Sequence, residues 1–423
     1  SPLLSASFTA TVTQHLLQGA GIWVNKRFMY QAINTRRITD SSFRQQILFT
    51  VNQVENIYWV LVSAYEDEQA KEHQLEQSTK LDNDDKRQLE IGTVAPLQVV
   101  SDDSAVAADK QALMSSENNL NYQQLIIKQA IARNLNDPAL VAAAVIPTDR
   151  VSLEEISEEK QPVEELVQEA FKQRPELEQA VLQLKNNEIT LKGARNALLP
   201  VLDGFAFYGA TASGGAQSPD CLNVFSASGG ACPPNFVPSI GYGSTLNNLV
   251  NSSGPNKGVG FTATLPIRNR AAQAQQARSL MEYRQAELHL EQLYTEIRMQ
   301  VVNQQLALAN DRAQVLSAMA SEDYARQSLD AENKKLELGA STTANVLLMQ
   351  RNLATAENTL ISDKAAYAQV RAGLYQTLAS TLQHYGINLN DAATGAVSAA
   401  PVVPGLEPAK TGNEPKTTPP VSR

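Results

Sequence analysis

Residues 8–12 read Phe8-Thr9-Ala10-Thr11-Val12, and 253 positions later the chain reads Phe261-Thr262-Ala263-Thr264-Leu265. A second match follows in the same order. Leu89-Glu90-Ile91-Gly92 returns 247 positions on as Leu336-Glu337-Leu338-Gly339. Common order and near-equal spacing mark an internal duplication, with six extra residues in the first copy. Each copy reads as a strand, a very long helix, a glycine turn and a second helix.

The strands alternate. Leu4, Ala6, Phe8, Ala10 and Val12 interleave with Ser5, Ser7, Thr9, Thr11 and Thr13. In the second copy Val259, Phe261, Ala263 and Leu265 interleave with Gly260, Thr262 and Thr264. A third strand is predicted after Pro200, with Phe205 and Phe207 on one face. Period-two alternation over about ten residues suits a membrane barrel, apolar toward lipid and polar toward the lumen. It equally suits a soluble sheet with one buried face.

The helices weigh toward the barrel. No proline interrupts the chain from about Phe28 to Glu90, or from about Ala271 to Leu338. Such segments predict rods roughly 90–100 Å long, far beyond the ordinary globular helix. In the first rod Phe43, Ile47, Val51, Val54, Tyr58, Leu61 and Tyr65 form a narrow predicted seam. The polar remainder fits a rod with water on two sides and helices on the others, as in a hollow helical cylinder. Each rod stops at a glycine, within Gly92-Thr93-Val94-Ala95-Pro96 and within Gly339-Ala340-Ser341-Thr342. Glycine takes the left-handed cap conformation readily, and Pro96 suits the first turn of a returning helix. Return helices are expected from about Leu97 to Arg133 and from about Thr343 to Tyr385, giving two antiparallel hairpins.

Between the copies, Asn134 to Lys160 reads as a linker, followed by helices from Pro162 to Gln173 and Pro175 to Asn196. Residues from about Ser213 to Pro255 are rich in Gly, Ser, Asn and Pro and read as an exposed loop. That loop holds both cysteines, Cys221 and Cys232, as a disulfide or as two free thiols. Their spacing lacks the second ligand pair of a zinc site.

Composition narrows the function. Acidic residues outnumber basic ones 44 to 35, a net charge of −9, which argues against nucleic acid as a partner. The longest apolar run, Ala139 to Ile146, is too short for a transmembrane helix and ends at Pro147. Ser1 opens directly onto a strand pattern without a secretory signal, which reads as a trimmed N-terminus rather than a cytoplasmic address. His15, His73, His289 and His384 are scattered and form no metal motif. There is no phosphate-binding loop and no nucleophile elbow, so neither catalysis nor a cofactor is expected. The acidic run Glu154 to Glu159 and the pair Asp84-Asp85 read as solvated helix faces.

Arg174-Pro175-Glu176-Leu177, followed by Ala194-Arg195-Asn196-Ala197-Leu198-Leu199-Pro200, resembles the TolC-like outer-membrane efflux proteins. The turn Gly92-Thr93-Val94-Ala95-Pro96-Leu97 is similar to that family's first hairpin tip, and the likeness spans residues 3 to 386. The resemblance implies a mainly α fold with a transmembrane β part, assembled as a homotrimer. Each subunit would give four strands to a shared barrel in outer-membrane lipid, continued by a periplasmic α-helical barrel. It further implies a periplasmic adaptor protein and an inner-membrane pump or ABC exporter as partners. On this view residues 1–14 and 201–267 hold barrel strands, with 213–255 as extracellular loop. Residues 15–133 form the first hairpin, 134–174 an equatorial region, and 175–200 a helix into the barrel. Residues 268–386 form the second hairpin and 387–423 a disordered tail.

Two departures stand out. Three strands are legible rather than four, so a longer functional protein is expected. Members of the family carry two aspartates just after the second tip, narrowing the periplasmic entrance; the matching residues are Asn345 and Leu348. A less acidic gate is therefore expected, unless both residues pack between helices. Adaptor docking is expected at Gly92, Thr93, Val94, Gly339, Ala340 and Ser341, although both glycines would serve the turns regardless. Two rival readings are a periplasmic adaptor, which would show one hairpin and lipoyl-like strands, and a cytoplasmic coiled-coil scaffold, which would leave the strands without purpose. Substrate and pump type are not legible.

Overall fold

A computed structural model describes residues 3–132, 135–154, 156–215, 240–251 and 255–395. Cys221 and Cys232, and the tail beyond 395, lie outside the described residues. The chain divides into two compact units, one of residues 1–39 and 178–292, the other of 40–177 and 293–423.

The first unit holds strands β1 (Leu3–His15), β2 (Val201–Gly215) and β3 (Pro255–Thr264). They form an antiparallel sheet in the order β1-β2-β3, the one sheet among the described residues. Phe8 pairs with Ala210, Val12 with Ala206, Ala206 with Val259 and Gly204 with Phe261. Partners in such a ladder share a face, so the apolar sets of all three strands lie together. The other face carries Thr9, Thr11, Thr13, Asp203 and Thr262, and also Phe205 and Phe207. Those two rings lie over Gly260 and Gly258, where an added Cβ would come within 2.8 and 2.7 Å of the aromatic carbons. Phe205 and Phe207 therefore belong to the threonine side, filling space that two glycines leave open.

Helices of this unit meet through amide side chains. Asn34 Nδ2 donates to Asn186 Oδ1 at 2.9 Å, and Gln31 Nε2 to Thr190 Oγ1 at 2.9 Å. Asn187 Nδ2 donates to the Glu282 carbonyl at 3.3 Å.

Two long helices, α1 (Ile22–Glu90) and α8 (Arg270–Glu337), run 69 and 68 residues. Each is followed by a 36-residue helix, α2 (Pro96–Ile131) and α9 (Thr343–Leu378). The extra length of the first copy sits mostly before the helix. From Phe8 to the start of α1 is 14 residues, and from Phe261 to the start of α8 only 9. Helix α9 stops at Leu378, short of the expected Tyr385, because buried Ala379 takes the left-handed conformation at φ 56. A one-turn helix α10 (Thr381–His384) then follows, and α11 (Leu389–Thr394) lies inside the segment expected to be tail.

The connecting segments hold α3 (Pro138–Ala142), α4 (Ser157–Lys160), α5 (Val163–Gln173) and α6 (Pro175–Asn196). Within the stretch expected as loop from 213 to 255, β2 runs on to Gly215 and Tyr242–Val250 forms helix α7. The short helix rests on the end of the sheet, where Ala210 and Ala212 are buried and Thr245 faces Gly214.

In the second unit Leu61, Val62, Ile297, Val301, Leu308, Tyr367 and Leu374 are fully buried. The buried stripe of α1 differs from the predicted seam: Ser41, Leu48, Asn52, Trp59 and Val62 are inside, while Phe43 is exposed. Ser41 holds its interior position by bonding, its Oγ donating to the Pro175 carbonyl at 3.1 Å. The predicted seam holds in part: Leu61 is fully buried, Ile47 and Tyr58 pack on the core, and Phe43 alone of the seven is exposed. No helix among the described residues is long and apolar enough to cross a membrane.

Candidate functional site: hairpin ends and an exposed strand face

The two hairpins close with the same backbone bonds. Gly92 has φ 81, its amide donates to the Leu89 carbonyl at 3.0 Å, and the Thr93 amide donates to Gln88 at 2.9 Å. Gly339 has φ 70, its amide donates to Leu336 at 2.9 Å, and the Ala340 amide donates to Lys335 at 2.8 Å. Both are Schellman ends, which satisfy the last helical carbonyls and require a residue at ease with positive φ. Gly92, Thr93, Gly339 and Ala340 are exposed, whereas Val94 and Ser341 are half-buried. Thr93 Oγ1 donates back to the Gln88 carbonyl at 2.9 Å. Ser341 Oγ instead donates to Glu332, which also holds Lys335 Nζ at 2.8 Å. Those bonds draw the Glu332 carboxyl below its ordinary range. Large apolar side chains beside both turns face outward, among them Ile91, Leu97 and Leu338.

One turn into α9, Asn345 and Leu348 lie on the exposed side, opposite buried Val346 and Leu347. Asn345 Nδ2 reaches Ser341 Oγ at 3.3 Å. Neither side chain is packed into the core of its own chain.

Acidic residues read as solvated are partly structural. Asp85 is fully buried, with Asp82 and Asp102 nearly so. Lys86 Nζ bridges Asp82 at 2.6 Å and Asp103 at 2.7 Å, and Gln98 Nε2 donates to Asp102 Oδ1 at 3.0 Å. Burial, then the neighbouring Asp85 carboxyl, push the Asp102 carboxyl up to about 6. Glu159 is likewise an anchor: it accepts from Arg312 at 2.5 Å and from the Tyr367 hydroxyl at 2.9 Å. Burial and that bond push the Tyr367 phenol up to about 12. Glu164 makes a bidentate pair with Arg298, both contacts at 2.9 Å. Sequence reasoning missed these acids because an acidic run looks the same whether it meets water or an arginine of a distant helix. Asp82 and Asp85, beside Leu81 and one turn apart, were the available hint.

The apolar strand face is open in the single chain: Phe8 is 55%, Val12 72%, Val259 86% and Phe261 78% exposed. A soluble sheet would bury this face. On the threonine side His15 Nδ1 lies 2.7 Å from Asp203 Oδ1.

Among solved structures, the chain is similar in fold to VceC from Vibrio cholerae. The two are 12% identical with a TM-score of 0.64, over 89% of this chain and 87% of that one. It is similar also to the CmeC outer membrane channel of Campylobacter jejuni, at 13% identity and TM-score 0.57, over 89% and 78%. A third likeness is to the open state of the MtrE outer membrane channel of Neisseria gonorrhoeae, at 13% and 0.58, over 90% and 81%. No curated protein matches the chain by sequence. The family profile described as outer membrane efflux protein matches residues 166–380, half of the chain, spanning β2, β3 and the whole of the second hairpin. The chain belongs to the outer membrane efflux protein family.

Proposed function

We propose that this chain is one of three identical subunits of an outer-membrane channel, through which an energised partner exports molecules that the channel itself does not transform. The exposed apolar face built from β1, β2 and β3 carries the reading. Four large side chains more than half exposed on one face, with threonines on the other, match a lipid-facing wall around a wet lumen. Family membership supports the same conclusion, and so does the likeness in fold to solved outer-membrane channels.

In the proposed assembly the strands of the three chains close one barrel, removing the free edges of β1 and β3. The long helices then line a periplasmic conduit, and the hairpin ends meet a periplasmic adaptor that recruits a pump or ABC exporter. Asn345 and Leu348 face the entrance of that conduit. Transport needs only a water-filled route, so the work and the choice of cargo lie with the partner. The test is the molar mass of detergent-extracted protein together with its conductance in a planar bilayer. A conducting trimer supports the reading; a monomer soluble without detergent refutes it.

A further inference from the structure

We propose that Asp85 and Asp102 bind a single proton between them inside the first hairpin, and that releasing it loosens the hairpin beside its turn. Asp85 is fully buried and neither of its carboxylate oxygens has a hydrogen-bond partner. Asp102 is 1% exposed; its Oδ1 accepts from Gln98, while its Oδ2 is unpartnered. Lys86 joins Asp82 to Asp103 at 2.6 and 2.7 Å, which sets the Asp85 and Asp102 turns of the two helices side by side. A bond with Asp85 is among the causes that raise the Asp102 carboxyl. Ionised carboxylates only accept, so that bond exists only when one of them carries a proton. Two unpaired charges in one dry site cost far more than one proton shared across it.

The surrounding groups do not neutralise the pair. From α1, Asp82 adds further negative charge, and Lys86 is spent on Asp82 and Asp103. From α2 the contributor is the neutral amide of Gln98. From α8 and α9 the side chains packed at this level are apolar: Ala325, Leu329, Val346 and Leu347. The nearby charges on α8 are engaged elsewhere, Arg326 by Glu322 and Glu357, and Glu332 by Lys335 and Ser341.

The duplication supplies a control within the chain. The positions 247 residues beyond Asp82, Asp85 and Asp102 are Leu329, Glu332 and Met349. Leu329 is buried in the core, and Glu332 is satisfied by Lys335 and Ser341. This hairpin geometry thus closes with an apolar residue where the first hairpin has an acid. The proton pair belongs to one of the two ends alone.

The direction with pH follows from which state holds the proton. Asp102 rises from 3.8 to about 6 on folding, so the folded hairpin binds the proton where the unfolded one has lost it. Its stabilisation is complete below about pH 4, falls as pH rises to about 6, and stays flat above. This inference does not depend on the channel reading.

Hydrogen–deuterium exchange on the detergent-extracted full chain tests it. After correction for the chemical exchange rate, opening of residues 82–102 should increase roughly tenfold between about pH 4.5 and about pH 6.5. Residues 329–349 should not change. Asp102→Asn keeps the shape and can donate to Asp85, so it should remain protected across the range. Equal pH dependence in both hairpins, or an unaltered dependence in D102N, overturns the proposal. Protection restored by calcium at about pH 7 would make the pair a cation site and also overturn it. If D102N does not assemble, infrared spectroscopy of the unmodified chain decides. A protonated-carboxyl band at about pH 5 that fades near pH 6 is expected, and its absence overturns the proposal.

Discussion

Phe205 lies over Gly260 on the threonine side of the sheet, so close that a methyl group on Gly260 would sit 2.8 Å from the ring. Phe207 does the same over Gly258. Each ring covers backbone that a glycine leaves bare, a cross-strand pairing that fixes register between β2 and β3. Gly260→Val should lower the thermal stability of the extracted protein by about 1–3 kcal/mol, the usual cost of overpacking. Adding Phe205→Ala should recover part of that loss, because the two sites share one space. Additive losses in the double variant would show that ring and glycine do not interact.

At the hairpin ends, Thr93 and Ala340 are exposed, and their backbone amides close the turns. The Ala340 methyl adds nothing to its turn, and the Thr93 hydroxyl adds one bond to the Gln88 carbonyl that the amide already reaches. Thr93→Arg and Ala340→Arg should abolish export in cells while leaving trimer yield and bilayer conductance unchanged. Ser341 is the less clean position, since its hydroxyl is bonded to Glu332. Undiminished export in both arginine variants would place the adaptor contact elsewhere.

The entrance prediction concerns Asn345. As an exposed neutral residue it gives multivalent cations no carboxylate to bind. Asn345→Asp should raise the sensitivity of bilayer conductance to a trivalent cation by about tenfold or more, and high salt should weaken the gain. An unchanged blocking curve would remove Asn345 from the conduction path.

Glu159 is bonded by Arg312 and by Tyr367, with its side chain mostly buried. Glu159→Gln leaves a guanidinium short of its charge partner and should cost about 2–4 kcal/mol, read as a fall in Tm. Tyr367→Phe removes one bond and should cost about 1 kcal/mol. The phenol, raised from 10.0 to about 12, holds its proton more tightly in the folded state. Its contribution is therefore present below about pH 10 and lost as pH climbs toward 12. Alkaline melting curves of the parent and the Y367F variant should converge across that window.

Much of this architecture was legible because it rests on repetition and on backbone chemistry. The recurrence of Phe8–Val12 at Phe261–Leu265 and of Gly92 at Gly339 locates strands and turns without reference to packing. Alternation correctly put Phe8, Val12, Val259 and Phe261 on one face. It could not show that Phe205 and Phe207 belong to the other, because that depends on glycines in the neighbouring strand. The seam of α1 was incomplete for a related reason: it includes buried Leu61 but leaves out Ser41 and Asn52. Ser41 is buried with its hydroxyl bonded to the Pro175 carbonyl and Asn52 is buried with its Oδ1 unpartnered, and no periodicity of apolar residues reports either. Asp85 and Glu159 look in sequence like any helix carboxylate; only the helix facing each one decides whether it meets water. Helix α7 was hidden by its setting among Gly, Ser and Asn. Ala379 gave no sign that it would adopt a conformation normally left to glycine.

The matching closures at Gly92 and Gly339 make the two ends interchangeable parts. Replacing Gln88–Ala95 by Lys335–Thr342 would leave the reversal of the chain intact while exchanging the surface it displays. Such a chimaera separates two demands that a single glycine substitution always confounds, the demand that the chain turn and the demand that the turn be recognised. It would also bring Lys335 and Ser341, the two partners of Glu332, to the matching positions near Asp85, whose oxygens accept no hydrogen bond. The duplication has left this protein with its own spare end, already shaped to fit.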